Sequence, residues 1–96
     1  MTGKIYLNQM VVESIYRDAE GRYLIITNSS MDGEVNYTIY TEDYEEVDGG
    51  IMEPTVEDPV ITVGQLLKFA EFDAVEQILD EDEIEDIQDA CTGYYY

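Results

Sequence analysis

The chain has 96 residues, enough for one compact domain and too few for two. Hydrophobic residues make up 45% of it, which excludes the apolar-poor composition of a disordered acidic tail. Four Lys and Arg stand against 23 Asp and Glu with no His, a formal charge of −19 that disfavours direct contact with nucleic acid or an anionic membrane.

In chain order, residues 4–16 (KIYLNQMVVESIY) are rich in β-branched and aromatic residues and predict a first strand. RDAEGR follows, with a Gly and polar residues suited to a reversal, and 22–28 (RYLIITN) predicts a second strand. Asp32 and Gly33 then supply a dipeptide that tolerates the positive φ of a tight hairpin. From 35 to 44, Val35, Tyr37 and Ile39 alternate with Asn36, Thr38 and Tyr40, predicting a third strand with two unlike faces. Residues 45–59 hold two Gly and two Pro and predict a long acidic loop.

After Val60 the period lengthens. Thr62 with Gln65 has the spacing of a capping box, in which hydroxyl and amide satisfy reciprocal N–H groups at a helix start. Leu66, Leu67 and Ala70, with Phe69 at the margin, give the apolar stripe of a helix ending near Phe72. Asp73 with Glu76 predicts the cap of a second short helix carrying Val75, Ile78 and Leu79. Asp82 with Glu85 predicts the cap of a third, carrying Ile84, Ile87 and Cys91, with Gly93 as its stop. The expectation is therefore a single α+β domain over 1–96. A three-stranded antiparallel meander (about 4–44) and an acidic loop (about 45–59) lead to two or three short C-terminal helices (about 62–92).

The charge is unevenly placed. Residues 1–33 balance Glu13, Asp18, Glu20 and Asp32 against Lys4, Arg17 and Arg22, whereas residues 34–96 carry 19 acids and one base, Lys68. A small domain needs a charge of only about 2–8 for solubility, so the excess points to a dedicated acidic surface and a basic partner. Two clusters are candidates. One is Glu42, Asp43, Glu45, Glu46 and Asp48, interleaved with Tyr40 and Tyr44, whose rigid rings suit an interface. The other lies within 71–89, which holds ten acids and includes Glu76, Asp80, Glu81, Asp82, Glu83, Glu85, Asp86 and Asp89. Were 71–89 wholly helical it would span about 27 Å, roughly 3 Å per charge, close to the 3.4 Å phosphate spacing along one DNA strand. Near the end of a helix, Asp86 and Asp89 oppose its dipole, so they cost stability and are the stronger functional candidates. The bland alternative is a solvated helix face, but such faces gain from Glu and Lys four residues apart, and no base follows Lys68.

Other chemistries find little support. Without His and with one Cys, the chain cannot assemble a zinc site or a His-activated nucleophile. The twelve-residue calcium-loop pattern fails from Asp43, where the fifth position is Val47 and the twelfth Pro54. No glycine-rich phosphate loop is present, and Cys91 sits on the apolar side of the last predicted helix as a small hydrophobe. The expectation is a non-enzyme without metal or cofactor. It is also expected to be cytoplasmic, since MTGKIYLNQM lacks the charge and apolar run of a secretory signal and no apolar stretch could span a bilayer.

A short folded domain with clustered Asp and Glu, interleaved Tyr and almost no base after the first third resembles the small acidic phage-encoded inhibitors. This DNA-mimic class includes anti-restriction proteins, uracil-DNA glycosylase inhibitor and several anti-CRISPR proteins. The resemblance is one of composition over the whole chain. It implies a monomer or homodimer that blocks the nucleic-acid groove of a bacterial defence complex, an anti-CRISPR first and an inhibitor of a restriction enzyme next. The alternative is an immunity or antitoxin protein that plugs the active site of a basic nuclease toxin.

Overall fold

A computed structural model of the protein describes residues 2–3, 5–28, 34–57 and 59–92. Strands β1 (Thr2–Gly3), β2 (Ser14–Asp18), β3 (Tyr23–Asn28), β4 (Val35–Tyr40) and β5 (Glu46–Met52) precede helix α1 (Val63–Ala70). Strand β6 (Ala74–Ile78) and helix α2 (Glu81–Thr92) follow. All strands belong to one antiparallel sheet in the order β1-β6-β2-β3-β4-β5.

This corrects the expected three-stranded meander with trailing helices. The meander has four strands, β2 to β5, and a fifth full strand, β6, returns between the two helices to pair with β2. The first strand of the meander is Ser14–Asp18 and not 4–16: the preceding segment runs beside the start of α1, with Val11 N–H donating to Ile61 O and Gly64 N–H to Leu7 O, both at 2.9 Å. Val47, Gly49, Gly50 and Ile51 lie in a strand, not a loop, because pairing with β4 overrides the weak β-propensity of Asp48 and the two glycines. Gly50 is required there: a Cβ at this position would stand 2.8 Å from the Tyr37 hydroxyl. The predicted second helix is β6, whose register with β2 aligns Ile15 with Ile78 and Arg17 with Glu76.

Other expectations hold. In β4, Val35, Tyr37 and Ile39 enter one core while Tyr40 enters the other. The β2–β3 reversal is closed by Asp18, whose carboxylate accepts from the N–H groups of Glu20 and Arg22 at 2.9 Å each, with Gly21 at φ 85°. The Thr62 capping box is complete, Gln65 N–H donating to Thr62 Oγ1 at 3.3 Å and Thr62 N–H to Gln65 Oε1 at 2.9 Å. α1 ends at Ala70, with Glu71 left-handed at φ 56°. The turn predicted at Asp32 and Gly33 and the helix stop at Gly93 lie outside the described residues, as do Tyr94, Tyr95 and Tyr96.

The alternation of the strands gives the sheet two apolar faces, each covered by one helix. Over the first, Tyr16, Leu24, Ile26, Val35, Tyr37 and Ile39 pack beneath Val63, Leu66, Leu67 and Ala70 of α1. Over the second, Ile15, Tyr23, Ile25, Tyr40 and Ile78 meet Ile87 of α2, with Ile84 and Cys91 packed at the margin. Burial of each such aliphatic side chain stabilises the fold by about 1.5–3 kcal/mol, so the first face supplies most of the cohesion.

Candidate functional site

The second helix organises the acidic surface. Asp80 sets its start: the carboxylate accepts from Glu83 N–H at 3.3 Å and Asp82 N–H at 2.9 Å, and the Glu83 bond above all holds its pKa below the ordinary carboxylate value. Asp80 is therefore the cap, in place of Asp82, and its role is structural. At about 100° per residue, Ile84, Ile87 and Cys91 centre on one side of α2. Glu81, Asp82, Glu85, Asp86 and Asp89 fall within a stripe about 140° wide on the opposite side. All five are exposed. The last turn carries no base, while Asp86 and Asp89 oppose the dipole near that end. Helical spacing thus covers about 18 Å and not the expected 27 Å, because 71–80 is turn and strand.

Three predicted site residues are engaged within the fold instead. Glu76 on β6 pairs with Arg17 on β2, and Glu83 on α2 approaches the same guanidinium at 3.7 Å, so Arg17 ties two strands to the helix. Tyr40 is 8% exposed and belongs to the core under α2. Arg22 is likewise engaged internally, donating from Nε to Asp18 at 2.7 Å and from Nη2 to Glu20 at 3.0 Å. Its pKa is raised, first by the Asp18 hydrogen bond. Among the described residues Lys68 is the remaining cation, exposed on α1.

The first acidic cluster occupies the β4–β5 turn. Thr41 shapes it: its N–H donates to Glu45 O, its carbonyl accepts from Tyr44 N–H, and its hydroxyl accepts from Asp43 and Glu45 N–H. Tyr44 adopts φ 67°, a conformation that bulky residues rarely take. That backbone lays its ring flat on Tyr23, centroids 5.7 Å apart and planes 11° off parallel. Tyr23 belongs to the core under α2, so the stack leans the turn against the helix. The Tyr44 hydroxyl accordingly has a raised pKa, first from Tyr23 and partial burial and further from Cys91 and Asp86. Glu42, Asp43, Glu45 and Glu46 are exposed around it, and Glu42 reaches back over Gly21 in the β2–β3 turn.

The two acidic clusters, some forty residues apart in sequence, both lie on the α2 side of the sheet, and the charge of Asp86 is felt at Tyr44. Asp48 does not join them. A bulge between its position and that of Glu46 in β5 turns it to the other face, where it and Glu71 raise the pKa of Tyr37, after burial as the main cause. Sequence reasoning missed Tyr23 and Arg17, the two positioning residues. Tyr23 reads as one more sheet tyrosine packed across strands and Arg17 as a lone base, and neither carries a local signal of this role, since their partners are remote in the chain.

Burial raises the Cys91 thiol to about 11, so it stays protonated at neutral pH. Among the described residues no group of three or more His, Cys, Asp or Glu side chains is placed to hold a metal ion. Among them, too, no helix is long and apolar enough to cross a membrane. A half-open hollow of about 270 Å³, lined by Met10, Val12, Ile26, Val35 and Val60, lies at the far end of the sheet from the acidic turn. No protein-family model, curated protein or solved structure matches the chain.

Proposed function

We propose that this protein is an inhibitor that presents a phosphate-like acidic face to the nucleic-acid groove of a bacterial defence complex, foremost a CRISPR effector. The observation that carries the reading is the Tyr44–Tyr23 stack, which holds the acidic turn on the face of the sheet that α2 covers, with both nearby arginines already satisfied. In this reading Glu42, Asp43, Glu45 and Glu46 with Glu81, Asp82, Glu85, Asp86 and Asp89 replace phosphates against Arg and Lys of the partner. Tyr44 packs beside them. The match in spacing, roughly 3 Å of axis per acid on α2 against 3.4 Å per phosphate, supports a backbone mimic over a diffuse charge. Long-range attraction gives a fast encounter, and buried contacts give residence.

The test is inhibition of a purified CRISPR effector by the intact protein and by the variant Glu45→Lys, Asp82→Lys, Glu85→Lys, Asp86→Lys. The expected result is competition with target DNA, an on-rate that falls roughly tenfold or more from low to high salt, and a folded variant without inhibition. Inhibition that survives both the charge reversal and high salt would refute the mimic.

A further inference from the structure

β5 ends the sheet, with β4 on one side and no strand on the other among the described residues. The direction of its backbone groups follows from the ladder. Asp18 N–H donates to Arg22 O, which makes theirs a hydrogen-bonded pair, and antiparallel pairs alternate between bonded and non-bonded kinds. Carried through the registers of β2, β3, β4 and β5, the alternation turns Asp48, Gly50 and Met52 toward β4 and Gly49 and Ile51 outward. Gly49 N–H agrees: it donates to its neighbour, the Asp48 carboxylate, at 2.8 Å. Residues 49–51 lie beyond the bulge and pair regularly, Gly49 lacks a side chain to shield the edge, and Ile51 is 55% exposed.

We propose that this outer edge accepts an extended Lys- or Arg-bearing segment of a partner protein as an added strand. Charge selects that occupant. Glu45, Glu46 and Asp48 are exposed along the turn and the strand, and no base lies between Arg22 and Lys68. A second copy would set acid beside acid, and like charges across a strand pair are destabilising. Acidic residues and a bulge are also how sheet edges avoid pairing with themselves, yet carboxylates that repel a copy attract a cationic strand. Main-chain hydrogen bonds would hold the segment, and its alternate side chains would reach Ile51 on one face and Asp48 on the other. The edge could serve such a segment whether or not the α2 face enters a nucleic-acid groove.

The experiment titrates the isotopically labelled protein with a peptide of alternating lysine and valine, and with the same peptide N-methylated along one edge, which keeps the charge and removes the donors. The expected result is amide shifts centred on Gly49 and Ile51 and an affinity at least tenfold weaker, about 1.4 kcal/mol, for the methylated peptide. Ile51→Pro, which removes an outward N–H and leaves the β4 ladder whole, should weaken the unmodified peptide similarly while β4 amide shifts stay in place. Equal binding of the two peptides, or shifts centred on α2, would overturn the proposal in favour of charge attraction alone. A dimer at physiological ionic strength with the Gly49 and Ile51 amides protected before peptide is added would overturn it in favour of a second copy.

Discussion

The two helices cover opposite faces of one sheet and are held in opposite ways. α1 buries Val63, Leu66, Leu67 and Ala70 and starts from a complete capping box. α2 is half as long again, yet among its described side chains only Ile87 is buried, and it relies on Asp80, Arg17 and two marginal apolar contacts for the rest. All of the helical acid is on the weakly held element. A helix that needs few buried positions can spend most of its circumference on charge, and charge that opposes its own dipole is not there for stability.

The sharpest way to break the contrast is to empty the core beneath each helix. Leu66→Ala, at a side chain 0% exposed, should cost about 3 kcal/mol and lower the midpoint of a single cooperative denaturant transition. Ile87→Ala, at 2% exposed, should cost about 2 kcal/mol and act locally. In that variant α2 amides should exchange faster while β3 and β4 amides keep their protection. Cys91 gives a second readout. Its thiol is held up at about 11, so alkylation at neutral pH should be slow in the native protein and rise roughly 30-fold in Ile87→Ala as the helix opens. Equal exchange in helix and sheet would mean that the two faces unfold as one unit.

A smaller effect is expected at the ionic anchor. Arg17→Gln removes the tie from β2 to Glu76 and Glu83, side chains that are 27% and 36% exposed. Solvent screening keeps such pairs to about 0.5–1 kcal/mol, and the loss should shrink as salt is added. A cost that does not change with salt would assign the role of Arg17 to the packing of its aliphatic stem.

What was legible in the sequence follows the same division. The Thr62 and Gln65 box and the stripe of Leu66, Leu67 and Ala70 are local signals, and α1 stands where they place it. The alternation of Val35, Tyr37 and Ile39 likewise reports its own strand. β5 and β6 were illegible for a physical reason: EVDGGIM and AVEQI become strands through the neighbours they pair with, and each neighbour lies elsewhere in the chain. For the site, composition pointed to two acidic clusters, but it could not separate roles among like carboxylates. Asp80 caps, Glu76 pairs with Arg17, Asp48 turns away, and Asp82 and Asp86 face solvent, although all are acids in similar company. The seating of the acidic turn on the α2 side depends on a Tyr at positive φ, which no pattern announces.

The smallest expected effect is the most specific, because it separates the shape of the α2 cap from its charge. The Asp80 pKa is lowered in the folded protein, chiefly by the Glu83 N–H, so its contribution is present above the unfolded carboxylate pKa and is lost as pH falls through the folded value. Asn caps a helix about as well as Asp but does not titrate in this range. Asp80→Asn should therefore keep the α2 amides protected at neutral pH and lose its share of the stability change in acid, whereas Asp80→Ala should lose protection at both. Protection measured by hydrogen exchange across the acidic range checks this, with β3 and β4 as internal controls. If Asp80→Asn instead frays α2 at neutral pH, the helix is held by the negative charge at its N-terminus and not by the hydrogen bonds of its cap. The acids that follow, Glu81 and Asp82, would then share in holding the first turn, leaving Glu85 and Asp86 as acids of the stripe with no part in its start.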